Sequence, residues 1–234
     1  MHILVIDGGH IEAEFRAKFG AAHEYSFFSS DYASQAEQDH VSPQIRATGE
    51  IADVAFCFES AQSYRVFIGL SIPVFAEASC NSLVENLHWE DDVPNGAPLF
   101  GFCGLPTFIN RPLLEVSCWH DSNRQKLAET CAALGTDYRV VADRVGLVTP
   151  RVICQIINEA CFTVQEGTAT MQDVDLGMKL GTNYPHGPFA WANAIGVERV
   201  YAVLEAMWHD THDERYKVCP LLKRQALLGQ SFGV

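Results

Sequence analysis

The residues best placed to do chemistry lie near the start of the chain, in the run ILVIDGGHIEAEF from Ile3 to Phe15. Ile3–Ile6 reads as a short strand, Gly8 and Gly9 as a turn, and Glu12–Phe19 as a helix. That order builds a phosphate cradle in dinucleotide-binding proteins, because free amide N–H groups and the helix dipole both favour an anion there. The cradle uses G-x-G-x-x-G: one glycine for the turn, one for close approach of the pyrophosphate, one for packing helix on strand. Aligned on the strand, these positions are Asp7, Gly9 and Glu12, so only the middle glycine remains. Two carboxylates at close range to a pyrophosphate would each cost on the order of 1 kcal/mol. Asp31 stands about 20 residues further on, the spacing of an acid that bonds a ribose hydroxyl. Two readings stay open: a nucleotide site held by Gly8, Gly9 and Asp31, or a strand-turn-helix without nucleotide in which Asp31 is a loop acid.

Other reactive side chains form no known constellation. The eight cysteines, Cys57, Cys80, Cys103, Cys118, Cys131, Cys154, Cys161 and Cys219, contain no C-x-x-C pair. Zinc ribbons and thioredoxin-like motifs are thereby excluded, and most of the thiols read as small core residues in a reducing compartment. His88, His120 and His186 are isolated, and no Ser-His-Asp or metal-ligand arrangement emerges. Asp173, Asp175, Asp210 and Asp213 read as helix-end or solvated acids.

The elements that must position these residues follow from apolar patterning. Ile3–Ile6, Tyr25–Phe28, Val54–Phe58, Val74–Ala76, Leu99–Phe102, Leu114–Cys118 and Tyr138–Val141 read as strands. Several are apolar throughout, as expected of parallel strands covered on both faces. A helix is expected over Asn123–Leu134, capped by Asp121 or Ser122 and ended by Gly135. After Asp143 the strands stop. Ile153, Ile156, Ile157, Ala160 and Val164 recur at helical spacing, and burial of this stripe against a second copy is the expected source of dimerisation. Thr170 and Asp173 suggest a capping box, with Gly181 as the helix stop. Further helices are expected around Val200–Met207 and over Leu221–Leu228.

The composition, 48% hydrophobic and 19% charged over 234 residues, is that of a folded protein. The net charge of −13 excludes a nucleic-acid surface, which needs a positive field. No apolar run reaches a membrane span, and the first residues lack a signal-peptide pattern, so a cytoplasmic protein is expected.

The second half carries a family resemblance. A D-x-x-G turn at Asp143–Gly146 leads into a helix ending N-E-A (Asn158–Ala160). D-V-D (Asp173–Asp175), G-x-x-x-P-x-G-P-F (Gly181–Phe189) and I-G-V (Ile195–Val197) follow in order. These motifs cover about 90 residues and resemble the C-terminal domain of 3-hydroxyacyl-CoA dehydrogenases; the closing segment resembles the end of tandem bacterial members. The resemblance implies a shortened Rossmann-like parallel sheet over residues 1–143. A helical 6-phosphogluconate-dehydrogenase-C-terminal-like domain over 144–234 would follow. It further implies an acyl-CoA ligand, NAD as hydride acceptor, and a homodimer.

Carried over residue by residue, the resemblance sets Cys103 where the family has the histidine that accepts the hydroxyl proton. Glu115 falls where a glutamate orients that histidine, Asn81 at a substrate-binding hydroxyl, and Pro150 at a family asparagine. Cys103 reads either as an altered base or as a small buried residue. Glu115 either binds another group nearby or faces solvent. With glycines, histidine and asparagine altered together, weak or lost dehydrogenation is expected. The alternatives are an active oxidoreductase on a related substrate using Cys103 or Glu115, or a non-catalytic partner of a full-length dehydrogenase.

Overall fold

The computed structural model describes residues 1–29, 43–58, 71–87 and 97–234. Asp31 and His88 lie outside the described residues. Two compact units are present: Met1–Gly104 with Phe108–Leu147, and Leu105–Thr107 with Val148–Val234.

The first unit is built on seven strands: β1 (His2–Ile6), β2 (Glu24–Phe28), β3 (Val54–Cys57), β4 (Val74–Glu77), β5 (Leu99–Phe102), β6 (Leu113–Cys118) and β7 (Asp137–Val140). They form one sheet in the order β2-β1-β3-β4-β5-β6-β7. Every neighbouring pair is parallel except β5–β6, where Phe100 faces Cys118 and Phe102 faces Val116 in antiparallel register. The expected parallel sheet is thus mixed at this one contact, where a short connection returns the chain beside itself.

Four helices cover the sheet: α1 (Glu12–Phe19), α2 (Pro43–Ile51), α3 (Leu83–Leu87) and α4 (Arg124–Leu134). Strand alternation divides the apolar residues between two cores. Ile3, Val5, Phe56, Phe75 and Phe100 pack with Phe15 and Phe19 of α1 and with Leu127, Cys131 and Leu134 of α4. Leu4, Ile6, Ala55, Cys57, Val74 and Ala76 pack with Ile45 of α2 and with Leu83 and Leu87 of α3. Burial on both faces is why these strands lack polar alternation. The start of α4 departs from expectation. Asp121–Asn123 forms a 3-10 turn with no side-chain cap on α4, and Asp121 instead pairs with Arg124 at 2.8 Å on the surface.

The second unit is helical: α5 (Thr149–Gln165), α6 (Met171–Thr182), α7 (Pro188–Ile195), α8 (Val197–Thr211) and α9 (Pro220–Leu227). Of the stripe expected to face a second copy, Ile153, Ile157 and Ala160 of α5 are buried within the chain itself, while Ile156 and Val164 are partly exposed. The face left open belongs to α6, which has no buried residue and exposes Leu176 and Leu180 by 58% and 76%. Thr170 Oγ1 accepts from Asp173 N at 3.2 Å, as the capping box requires, but α6 runs past Gly181 and ends on Asn183 in the left-handed conformation.

Two asparagines hold the closing segment by imitating backbone. Asn158 donates to Lys217 O at 3.0 Å and accepts from Cys219 N at 2.8 Å; Asn193 does the same with Phe232 O and N, at 2.9 and 2.8 Å. Each amide thereby pairs with one carbonyl and one N–H of a partly buried stretch of backbone. Among the described residues, no helix is long and apolar enough to cross a membrane.

Candidate active site

Open α/β sheets bind ligands beyond the carboxyl ends of their strands, where strand order reverses. Here β1 leads to β2 on one side and to β3 on the other, so the reversal falls between β1 and β3. The turn after β1 sits at that point. Asp7, at the first fingerprint position, adopts φ 58°, and its N–H donates to Phe28 O at 2.8 Å. A side chain on Gly8 would collide: its Cβ would lie 2.5 Å from Val5 Cγ1 and 2.8 Å from Phe58 Cδ2. Above Gly9 no atom of the described residues lies within 4 Å of such a Cβ.

Phe58, the first residue after β3, is 4% exposed. The same ring lies 2.8 Å from where a Cβ on Gly104 would stand, so it is seated between Gly8 and Gly104. It also meets His10, Phe15 and Phe102 edge-on, at centroid distances of 6.1, 5.9 and 5.2 Å. Glu12, at the third fingerprint position, pairs with Arg16 at 2.8 Å in a largely solvated i,i+4 contact. Gly9 alone offers the open approach that a pyrophosphate requires. With Asp7 in the turn and Phe58 against Gly8, the residues present do not fit the dinucleotide fingerprint.

The second cluster surrounds Cys103. This residue is 7% exposed, and its Sγ lies 3.5 Å from the hydroxyl of Ser79, which is fully buried. Glu115 on β6 acts on the guanidinium of Arg111, as do Cys103 and Glu14 of α1. Burial pulls Arg111 down from its ordinary pKa, and these three groups pull it back up. The segment before β6 is itself fastened to α1. Glu14 Oε1 accepts from Ile109 N and Asn110 N at 3.0 Å each, and Lys18 Nζ donates to Arg111 O. Arg111 also stacks over the Phe108 ring at 4.4 Å.

Glu77, which ends β4, completes this cluster and was not anticipated. Its Oε1 accepts from Ser79 N at 2.9 Å and Gly104 N at 3.3 Å, and the Ser79 hydroxyl also bonds its carboxylate. Burial pushes its carboxyl up to about 6 from the ordinary 4.5, against the opposite pull of those hydrogen bonds. The signal in sequence is an acid closing the apolar run Val74-Phe75-Ala76. Two neighbouring thiols are held neutral by burial: Cys80, beside Glu77, is pushed up to about 12, and Cys57 is pushed up as well.

The remaining candidates stand apart. Asn81 is exposed. His120 bonds Ser122 at 3.1 Å on the surface, and His186 packs its ring 5.7 Å from Trp191. Asp143 is structural: its carboxylate accepts from Leu83 N and Val84 N at the start of α3 and from the Ser117 hydroxyl. Asp175 accepts from Phe189 N and Ala190 N at 2.7 and 2.9 Å, capping α7. Among the described residues, no group of His, Cys, Asp and Glu could hold a metal ion.

Comparison with known proteins bears on both units. Residues 146–231 match the family described as "3-hydroxyacyl-CoA dehydrogenase, C-terminal domain". A 112-residue stretch is 38% identical to the 3-hydroxyadipyl-CoA dehydrogenase of Escherichia coli, covering 48% of this chain and 24% of that protein. A 134-residue stretch is 30% identical to the 3-hydroxybutyryl-CoA dehydrogenase of Bradyrhizobium diazoefficiens, covering 55% and 46%. The matches therefore span less than half the length of these relatives. Among solved structures, the (S)-3-hydroxybutyryl-CoA dehydrogenase of Ralstonia eutropha superposes with a TM-score of 0.70 at 19% identity, over 97% of this chain and 94% of that one. The 3-hydroxybutyryl-CoA dehydrogenase of Escherichia coli K12 gives 0.72 at 16%, over 98% and 57%. At such identities the likeness speaks for the fold alone. The α/β unit thus carries the Rossmann-like fold of these enzymes, and the helical unit matches the C-terminal domain of the 3-hydroxyacyl-CoA dehydrogenase family.

Proposed function

We propose that this protein is a divergent 3-hydroxyacyl-CoA dehydrogenase homologue of cytoplasmic acyl-CoA metabolism, in which NAD-dependent dehydrogenation is weak or lost. The observation that carries this reading is the burial of the Cys103 thiol, at the position where the resemblance sets the family's imidazole. Imidazole suits proton removal from an alcohol because its reference pKa of about 6.5 lies near neutrality, whereas a thiol's lies near 8.5. The Phe58 ring against Gly8 supports weak dinucleotide affinity as well. The acyl-CoA ligand is carried over from the family.

Fluorescence titration with NADH, in the presence of acetoacetyl-CoA, tests the reading. Turnover well below the range of about 1–1,000 per second typical of enzymes is expected, and turnover within it would refute the loss. We also propose a homodimer. Its support is the unburied α6 face, since two exposed leucines would each gain about 1.5–3 kcal/mol on full burial. Sedimentation should give twice the 25.9 kDa chain mass, and Leu176→Asp with Leu180→Asp should return it to the monomer value. A monomeric parent protein would refute the dimer.

A further inference from the structure

We propose that Glu77, Ser79 and Cys103 form a proton-transfer chain that makes Cys103 a nucleophile toward thioester carbonyls, with Arg111 holding the thiolate. The inference rests on the acyl-CoA reading for its substrate, but the relay itself stands on geometry. One buried hydroxyl, Ser79 Oγ, reaches both the Glu77 carboxylate and Cys103 Sγ. The hydroxyl donates to Cys103 Sγ at 3.5 Å; rotated to donate to Glu77 instead, it can accept from the thiol, so a proton can pass from sulfur to oxygen to carboxylate. Nucleophile, relay and base within hydrogen-bond reach, beside a cation, are the parts of an activated thiol.

The charged and titratable groups around the chain are consistent with this direction of transfer. Glu77, with its carboxyl at about 6, is ionised at neutral pH and free to accept a proton. Cys80, also beside Glu77, stays a neutral thiol and does not compete. Arg111 is the nearby cation, and the charges of Cys103, Glu115 and Glu14 all act on it.

In the step itself, the Cys103 proton moves to Ser79 Oγ as the Ser79 hydroxyl proton moves to Glu77. The sulfur then forms a bond to the carbonyl carbon. The carbon–sulfur bond to CoA breaks, and the CoA sulfur leaves with the electron pair and takes up the proton held by Glu77. The products are an acyl thioester on Cys103 and free CoA thiol, with no change in oxidation state.

Alkylation by iodoacetamide, followed by mass spectrometry of the Cys103 peptide, tests the relay without any acyl ligand. The rate should rise through an inflection near pH 6, where Glu77 ionises. Glu77→Gln and Ser79→Ala should each remove that inflection and slow alkylation at pH 7 by about 100-fold. Equal rates in the parent protein and both variants, each folded by circular dichroism, would overturn the proposal; Ser79→Ala decides the matter if Glu77→Gln does not fold. Incubation with acetoacetyl-CoA should add the acyl mass to the Cys103 peptide and release CoA thiol in equal amount. Calorimetric binding of acetoacetyl-CoA without acylation would overturn the nucleophilic role. Absent binding, with the alkylation pattern intact, would overturn the acyl-CoA reading and leave the relay supported.

Discussion

Gly187→Ala is expected to destabilise the protein by about 3 kcal/mol, the sum of overpacking and a lost helix cap. The added Cβ would fall 2.3 Å from Asp175 Cγ and 2.5 Å from its Cα, so the overlap reaches backbone and no rotamer relieves it. Asp175 must then withdraw from Phe189 N and Ala190 N, and the start of α7 loses two hydrogen bonds to a carboxylate favoured by the helix dipole. Asp175→Ala removes only the cap and should cost about 1 kcal/mol. Urea unfolding followed by tryptophan fluorescence measures both. Equal costs for the two variants would show that crowding at Gly187 contributes nothing. The family motifs D-V-D and G-P-F, far apart in sequence, are on this account two halves of one contact.

Glu77→Gln is expected to stabilise the protein at neutral pH by about 2 kcal/mol, since its carboxyl is raised from 4.5 to about 6 in the fold. Below pH 4.5 both folded and unfolded states hold the proton, and the variant gains nothing. Between 4.5 and 6 the unfolded chain releases its proton first, so the parent protein loses stability as pH rises. Above 6 the full penalty is present. Thermal unfolding at pH 4 and pH 7.5 reads the difference, and a gain independent of pH would refute it. A buried anion that costs stability where an amide would serve is a mark of function.

Much of the fold was legible because burial leaves a periodic trace. All seven strands lie within two residues of the apolar runs that announced them, and α1 begins and ends where its pattern does. The trace fails where an element is buried on most sides or is very short. In α7, Pro188, Phe189, Trp191, Ala192 and Ile195 are all buried, so no polar face marks the helix. The five residues of α3 are too few to show a period. Helix ends were read less well: Asn183 rather than Gly181 stops α6, because a small polar residue also tolerates the left-handed conformation.

The site was legible only where register carried it. Cys103 and Glu115 were singled out by register with the family the second half resembles, and the structure places the Ser79 hydroxyl beside Cys103. Arg111 lies in an irregular segment whose fold depends on Glu14 and Lys18, more than 90 residues earlier, and no local pattern encodes such a contact. Glu77 stood in plain view at a strand end. Its meaning came from Ser79 and Gly104, which converge on its carboxylate only when β4 and β5 lie side by side.

The Phe58 ring binds the histories of distant positions together. Gly8 and Gly104 press on opposite sides of one aromatic plate, and Gly104 abuts Glu77 Cγ as well. A larger residue at either glycine needs the ring to give way, yet a smaller ring alone frees neither, because Val5 still crowds Gly8 and Glu77 still crowds Gly104. Substitution here is therefore concerted: a side chain at position 8 or 104 calls for a matching change at residue 58 and at one further neighbour, Val5 or Glu77.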